Sequence, residues 1–206
     1  MWQLLSYRTV DRAAVTEISI KKSRFIANVK PVPDEAAANE FIREISKMHR
    51  DATHNVYAYR IGENQEKCSD DGEPSGTAGR PVLNVIKGEN LYQVAVVVTR
   101  YYGGILLGAG GLVRAYSQAA AQGVSAAGIV TRSLHQQLQV KFTMPLFGLI
   151  KRVIEQSGAK ILDVSVTDKA TITCRLPVAE ADRLMAEITE VSAGQAMVKK
   201  LEREYV

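Results

Sequence analysis

The loop at residues 70–81, Asp70-Asp71-Gly72-Glu73-Pro74-Ser75-Gly76-Thr77-Ala78-Gly79-Arg80-Pro81, sets three carboxylates among three glycines and two hydroxyls. Carboxylate oxygens at this density suit a hard divalent cation or the basic group of a partner, which makes Asp70, Asp71 and Glu73 candidate metal ligands. The spacing is not that of a calcium loop, and the plainer reading is an acidic, solvated turn whose glycines only shape the chain. A second segment, Thr99-Arg100-Tyr101-Tyr102-Gly103-Gly104-Ile105-Leu106-Leu107-Gly108-Ala109-Gly110-Gly111, lies between an apolar run and an Ala-rich stretch. A strand, a glycine loop and a helix in that order turn backbone N–H groups outward at the positive end of the helix dipole. Phosphates and carboxylates bind there readily. Arg100 and Arg114 flank the loop and bring bidentate donors for the same anion.

The anion or nucleic-acid set is therefore Arg100, Gly103, Gly104, Gly108, Gly110, Gly111 and Arg114, with His54, Thr77 and Arg80 beside them. Neither the P-loop nor the dinucleotide fingerprint is present: no Lys-Ser/Thr pair follows, and the third glycine and downstream acid are out of place. Against the anion reading stands a packing one, in which the glycines let a helix press against a sheet. His54 opens a strand and can serve as an acid, a base or a hydrogen-bond donor to a phosphate, or simply as a structural histidine. Tyr57, Tyr59, Tyr101 and Tyr102 could stack on bases, although tyrosine is also an ordinary strand residue. No Ser-His-Asp or Cys-His set can be assembled, and Cys68 has no base beside it, so no catalytic residue is assigned.

The elements that must position these residues follow from periodicity. Residues 15–20 and 24–29 read as two strands around Lys21-Lys22-Ser23. Asp34 caps a helix on which Ala37, Phe41, Ile45 and Met48 recur at helical spacing. Residues 55–61 alternate as a strand, Gly62-Glu63-Asn64 turns, and a loop runs from Cys68 to Pro81, after which a short helix starts. Val94-Ala95-Val96-Val97-Val98 reads as a central strand buried on both faces. Residues 112–127 form a buried helix that Gly128 ends.

Beyond residues 129–134 the pattern restarts: a strand at 136–143, a helix at 145–156 ended by Gly158, strands at 160–166 and 170–176, a helix from Pro177 to about 191, and a strand at 196–201. That β-α-β-β-α-β order is the ferredoxin-like plan. The expectation is an α+β chain with domains at 1–130 and 131–206.

With 206 residues, 46% of them hydrophobic, the chain can bury two modest cores. The net charge of +4 permits contact with nucleic acid without arguing for it. Two distant cysteines give no disulfide framework or metal spacing. Met1-Trp2-Gln3-Leu4-Leu5 lacks the features of a signal peptide, and the apolar run before Leu107 is interrupted by Arg100. A soluble, cytoplasmic protein with no membrane partner is expected; oligomeric state is not legible.

Three long motifs, Asp70 to Gly79, Arg100 to Gly104 and Leu107-Gly108-Ala109-Gly110-Gly111-Leu112-Val113-Arg114-Ala115-Tyr116, resemble the signature of the YigZ/IMPACT family. Ser23-Arg24-Phe25-Ile26-Ala27 and Asp51-Ala52-Thr53-His54-Asn55 are similar to its earlier segments. The resemblance implies an N-terminal β/α domain of the ribosomal-protein/GHMP-kinase type and a C-terminal domain similar to the last domain of elongation factor G. It also implies a role in regulation of translation, since eukaryotic IMPACT proteins restrain the kinase pathway that lowers initiation during starvation. Those proteins carry a further partner-binding domain not found in these residues.

The leading expectation is a non-enzymatic, translation-associated protein that binds RNA, the ribosome or a translation factor, with no cofactor. The alternative is an enzyme or sensor for a small phosphorylated ligand, cradled by the glycine loop with Mg²⁺. A third reading is an adaptor that takes a peptide carboxylate in the same groove.

Overall fold

A computed structural model describes residues 4–206. Met1, Trp2 and Gln3, part of the stretch read above as lacking a signal peptide, lie outside the described residues. The chain forms two compact units, one of Tyr7–Thr131 and one of Arg132–Val206 together with residues 4–6. Strand β1 (Ser6–Val10) begins in the second unit and continues in the first.

In the N-terminal unit, β2 (Ala14–Ile20), β3 (Ser23–Pro31), β4 (His54–Gly62), β5 (Gln65–Ser69) and β6 (Val94–Tyr101) form an antiparallel sheet in the order β2-β3-β6-β4-β5. Lys21 and Lys22, with φ of 47° and 65°, turn β2 into β3 with the twist that a tight hairpin prefers. Strand β6 lies mid-sheet and serves both faces, as its unbroken valine run requires. Val96 and Val98 pack with Phe25, Ala27 and Val56 under α2 (Gly79–Gly88) and α3 (Ala109–Ala127). Ala95 and Val97 pack with Phe41 and Ile45 of α1 (Glu35–Met48) on the other side. The Asp34 side chain accepts from Ala37 N at 2.8 Å and so caps α1.

Two details differ from the sequence reading. Strand β5 falls where only a turn and a loop were expected, because Gln65-Glu66-Lys67-Cys68-Ser69 is polar and pairs on one side only. Helix α3 starts at Ala109 rather than Leu112: Gly108 takes φ +71° and its carbonyl already accepts from Leu112 N at 2.9 Å. The glycine that lets α3 press against the sheet is Gly123, where a Cβ would lie 2.8 Å from Val29 Cγ2.

In the C-terminal unit, β7 (Ile129–Phe142) precedes a 3-10 turn at Met144–Leu146 and α4 (Phe147–Gln156). Then come β8 (Lys160–Val166), β9 (Ala170–Pro177), α5 (Val178–Val191) and β10 (Met197–Tyr205). Their strands run β10-β7-β9-β8, each neighbour antiparallel. Leu138, Val140, Ile172 and Leu176 of the sheet pack against Ile150, Ile154, Leu184 and Ile188 of the helices. Residues 4–6 are tied to this unit: Leu134 N donates to Leu5 O, and the Tyr205 hydroxyl donates to Leu4 O. Cys68 and Cys174 are free thiols, and burial pushes Cys174 up to about 11. Among the described residues no helix is long and apolar enough to cross a membrane.

Candidate functional site

Where β4 begins and β6 ends, the 72–74 turn and the 102–112 segment enclose a cleft of about 400 Å³ in the N-terminal unit. Its polar lining is Thr53, His54, Glu73 and Arg100. Its apolar wall is Pro74, Tyr102, Leu106, Leu107 and Leu112, and Gly72, Gly108 and Ala109 add backbone.

The two charges at this cleft are already paired with each other. Arg100 Nη1 donates to Glu73 Oε1 at 2.6 Å, and the Tyr116 hydroxyl donates to the same oxygen at 2.7 Å. Arg100 is 5% exposed and Glu73 7%. The guanidinium also lies between the rings of Phe25 and Tyr102, 5.5 and 5.3 Å from their centroids, and its Nη2 reaches Ser23 Oγ at 3.4 Å. Its Nε has no hydrogen-bond partner among the described residues. Burial pushes the Tyr116 phenol up, and the Glu73 carboxylate pushes it further, so the hydroxyl stays a donor. His54 Nδ1 lies 2.7 Å from Asp71 O, a pure acceptor, so Nδ1 is the donor. The other ring nitrogen, Nε2, stands 3.8 Å from Glu73 Oε2.

The three acidic residues of the loop each have a separate task. Asp70 accepts from the amides of Gly76 (2.8 Å), Ala78 (3.1 Å) and Gly79 (2.8 Å), which satisfies the start of α2. Burial pushes its carboxyl up, but those three amides outweigh burial and hold it below its ordinary value. Asp71, with φ 45°, accepts from Asn55 N at 2.5 Å. Among the described residues no group of three or more His, Cys, Asp or Glu is placed to hold a metal ion. The Thr77 hydroxyl donates to Pro74 O at 2.6 Å, and Arg80 is exposed on α2; neither lines the cleft.

The glycine-rich segment divides by cause. At Gly103 a Cβ would lie 2.0 Å from the Lys22 carbonyl carbon, so only glycine lets the two backbones cross; its N–H donates to Ser23 Oγ at 3.1 Å. Gly104 turns the chain with φ +82°. Gly108 precedes α3 without a side-chain cap, and no acidic residue stands in the first turn. Gly111 has Leu107 Cβ 3.0 Å from where its own Cβ would be. Gly110 is different: a Cβ there would meet only the Arg114 Nη1 tip at 3.9 Å, so neither packing nor backbone angle calls for glycine. Arg114 is exposed and makes no ion pair or hydrogen bond among the described residues.

Of the residues singled out in the sequence, Arg100, Glu73, His54 and Gly108 thus meet at the cleft, and Gly110 and Arg114 stand on the first turns of α3. Tyr102, named in the sequence for stacking, is part of the wall; sequence reasoning missed Pro74, Leu106, Leu107 and Leu112 of it, Thr53 and the buried Tyr116. The signal for the wall was Ile105-Leu106-Leu107, three aliphatics inside a glycine loop; Leu106 is 80% exposed.

The comparisons with known proteins agree along the chain. The family model of the Impact N-terminal domain matches residues 21–124, and that of a domain of unknown function, DUF1949, matches residues 141–195. The IMPACT family member YvyE of Bacillus subtilis (strain 168) is 40% identical over 205 residues, covering 98% of this chain and 94% of that protein. The IMPACT family member YigZ of Escherichia coli (strain K12) is 31% identical, covering 94% and 97%. Protein IMPACT of Homo sapiens is 38% identical over 98 residues, 44% of this chain and 30% of its own length. The crystal structure of a hypothetical protein, 29% identical, superposes with a TM-score of 0.65 over 97% of this chain and 99% of its own. This chain belongs to the IMPACT family.

Proposed function

We propose that this protein is a non-enzymatic regulator associated with translation, and that the cleft beside α3 is where it meets RNA, the ribosome or a translation factor. The observation that carries the reading is the open start of α3: an uncapped first turn, a glycine at 110 that the fold does not require, and the unpaired Arg114. Membership of the IMPACT family supports the link to translation. We read the N-terminal unit as the ribosomal-protein/GHMP-kinase type. The C-terminal unit we read as ferredoxin-like, similar to the last domain of elongation factor G, because the order β10-β7-β9-β8 suits that plan. Both likenesses are arguments from fold and weigh less than the site.

The test is co-sedimentation with ribosomes at low and near-physiological salt, for the wild type and for Arg114→Ala. Arg100→Ala is a poor probe, since it leaves the Glu73 carboxylate buried without its cation. Salt-sensitive association weakened by Arg114→Ala supports the proposal; a wild type that stays in the supernatant at low salt sinks it in its direct form. The second reading, a sensor or enzyme for a small phosphorylated ligand, uses the same α3 amides. It would need Asp70, Asp71 or Glu73 to hold Mg²⁺, and each of them already accepts hydrogen bonds within the protein.

A further inference from the structure

Resting on that binding role, we infer that the occupant of the cleft is a segment of a protein partner in which an acidic side chain lies next to a large apolar one. The apolar half of the argument is the wall. Tyr102, Leu106, Leu107 and Leu112 line one side, and Leu106 is 80% exposed, Tyr102 45% and the neighbouring Ile105 41%. Three exposed apolar side chains within five residues, on a segment pinned by Gly103 and anchored by α3, form the kind of patch that marks a docking site. Leucines of this kind match an aliphatic or aromatic side chain and have nothing to offer a phosphate.

Charge supplies the other half. A nucleic-acid strand needs a track of cations and aromatic platforms. The cleft has one arginine, and Glu73 neutralises it at 2.6 Å. Of its neighbouring tyrosines, Tyr101 is already occupied: its hydroxyl meets His49 Nδ1 at 3.0 Å, and Arg24 lies over its ring. Among the residues that line the cleft, the other feature that attracts an anion is the start of α3. There, Gly108 gives no side-chain cap, the first turn holds no acid, and Arg114 has no partner.

One further observation agrees, at the start of α3 itself; Arg100 contributes none, because its one unpartnered nitrogen, Nε, is closed to solvent. Gly110 leaves its backbone uncovered where alanine would fit. One anion is therefore matched, and it is matched beside the leucines, because Ala109 and Leu112 of α3 line the same cleft as Leu106 and Leu107. A carboxylate at the amides of α3 and an apolar side chain against the wall satisfy both halves with adjacent residues of one chain.

The experiment uses the full chain, with amide and leucine-methyl NMR during titration. The probes are a blocked hexapeptide containing Asp-Leu, the same peptide with Asn-Leu or Asp-Ser, and an octamer of uridine. The expected result is that the Asp-Leu peptide moves the Gly110 and Gly111 amides and the Leu106, Leu107 and Leu112 methyls together. Either altered peptide should bind about tenfold more weakly. Gly110→Ala and Leu106→Ala should weaken the Asp-Leu peptide similarly while their thermal melts stay at or above the wild-type midpoint. Shifts of these signals by the uridine octamer and not by the peptide overturn the inference, as does the absence of any response to the peptides. Ribosome association undiminished by Leu106→Ala also overturns it and leaves the translation role standing. Peptide binding by a protein that never sediments with ribosomes leaves the inference standing and removes that role.

Discussion

Glu73 accepts from a guanidinium and from a phenol at the same oxygen, with both donors buried beside it. Glu73→Gln keeps the shape but leaves Arg100 without its counter-charge, and the expected cost is about 3–5 kcal/mol, read as a lower urea midpoint. Tyr116→Phe removes one neutral donor and should cost about 1–2 kcal/mol in the same measurement. Asp70 gives the pH dependence. Its folded carboxyl sits below the ordinary value of 3.8, so its contribution is complete above that value and disappears as pH falls through the depressed folded one. Asp70→Asn should therefore flatten the acid limb of the stability curve below about pH 4. At this scale the sequence revealed residue types but not their partners. Arg100 reads as a free anion donor until Glu73, 27 positions earlier, is found against it. Asp70 reads as a metal ligand until the amides of Gly76, Ala78 and Gly79 are found around it.

Among the elements, α3 separates two uses of glycine that look alike in sequence. Gly123→Ala drives a methyl to 2.8 Å from Val29 Cγ2 and should cost about 1–3 kcal/mol in spite of better helix propensity. Gly110→Ala meets open space and should leave stability unchanged or raise it by about 0.5–1 kcal/mol. Thermal melts of the two variants side by side test the distinction. The strongly periodic elements were legible: β6 from its valine run, α1 from its cap and apolar spacing, α5 from Pro177 before it. Strand β5 was not, since a polar edge strand carries no alternation, and neither was the first turn of α3, where three glycines within four positions hide a helix start.

Taken whole, the molecule has a net charge of +4, too small for a polyanion binder that works by charge alone. The family and the α+β architecture could be read from the sequence because the motifs are long and in order. The apolar character of the cleft could not, because Tyr102, Pro74 and Leu112 converge on it only through the sheet order β2-β3-β6-β4-β5. The attachment of residues 4–6 to the C-terminal unit bears on how the chain is made. During synthesis these residues are made before the N-terminal unit, yet Tyr205, the partner of Leu4, follows 201 positions later. The N-terminal unit can close while they wait, and the C-terminal unit, which needs residues made on either side of that unit, is completed after it.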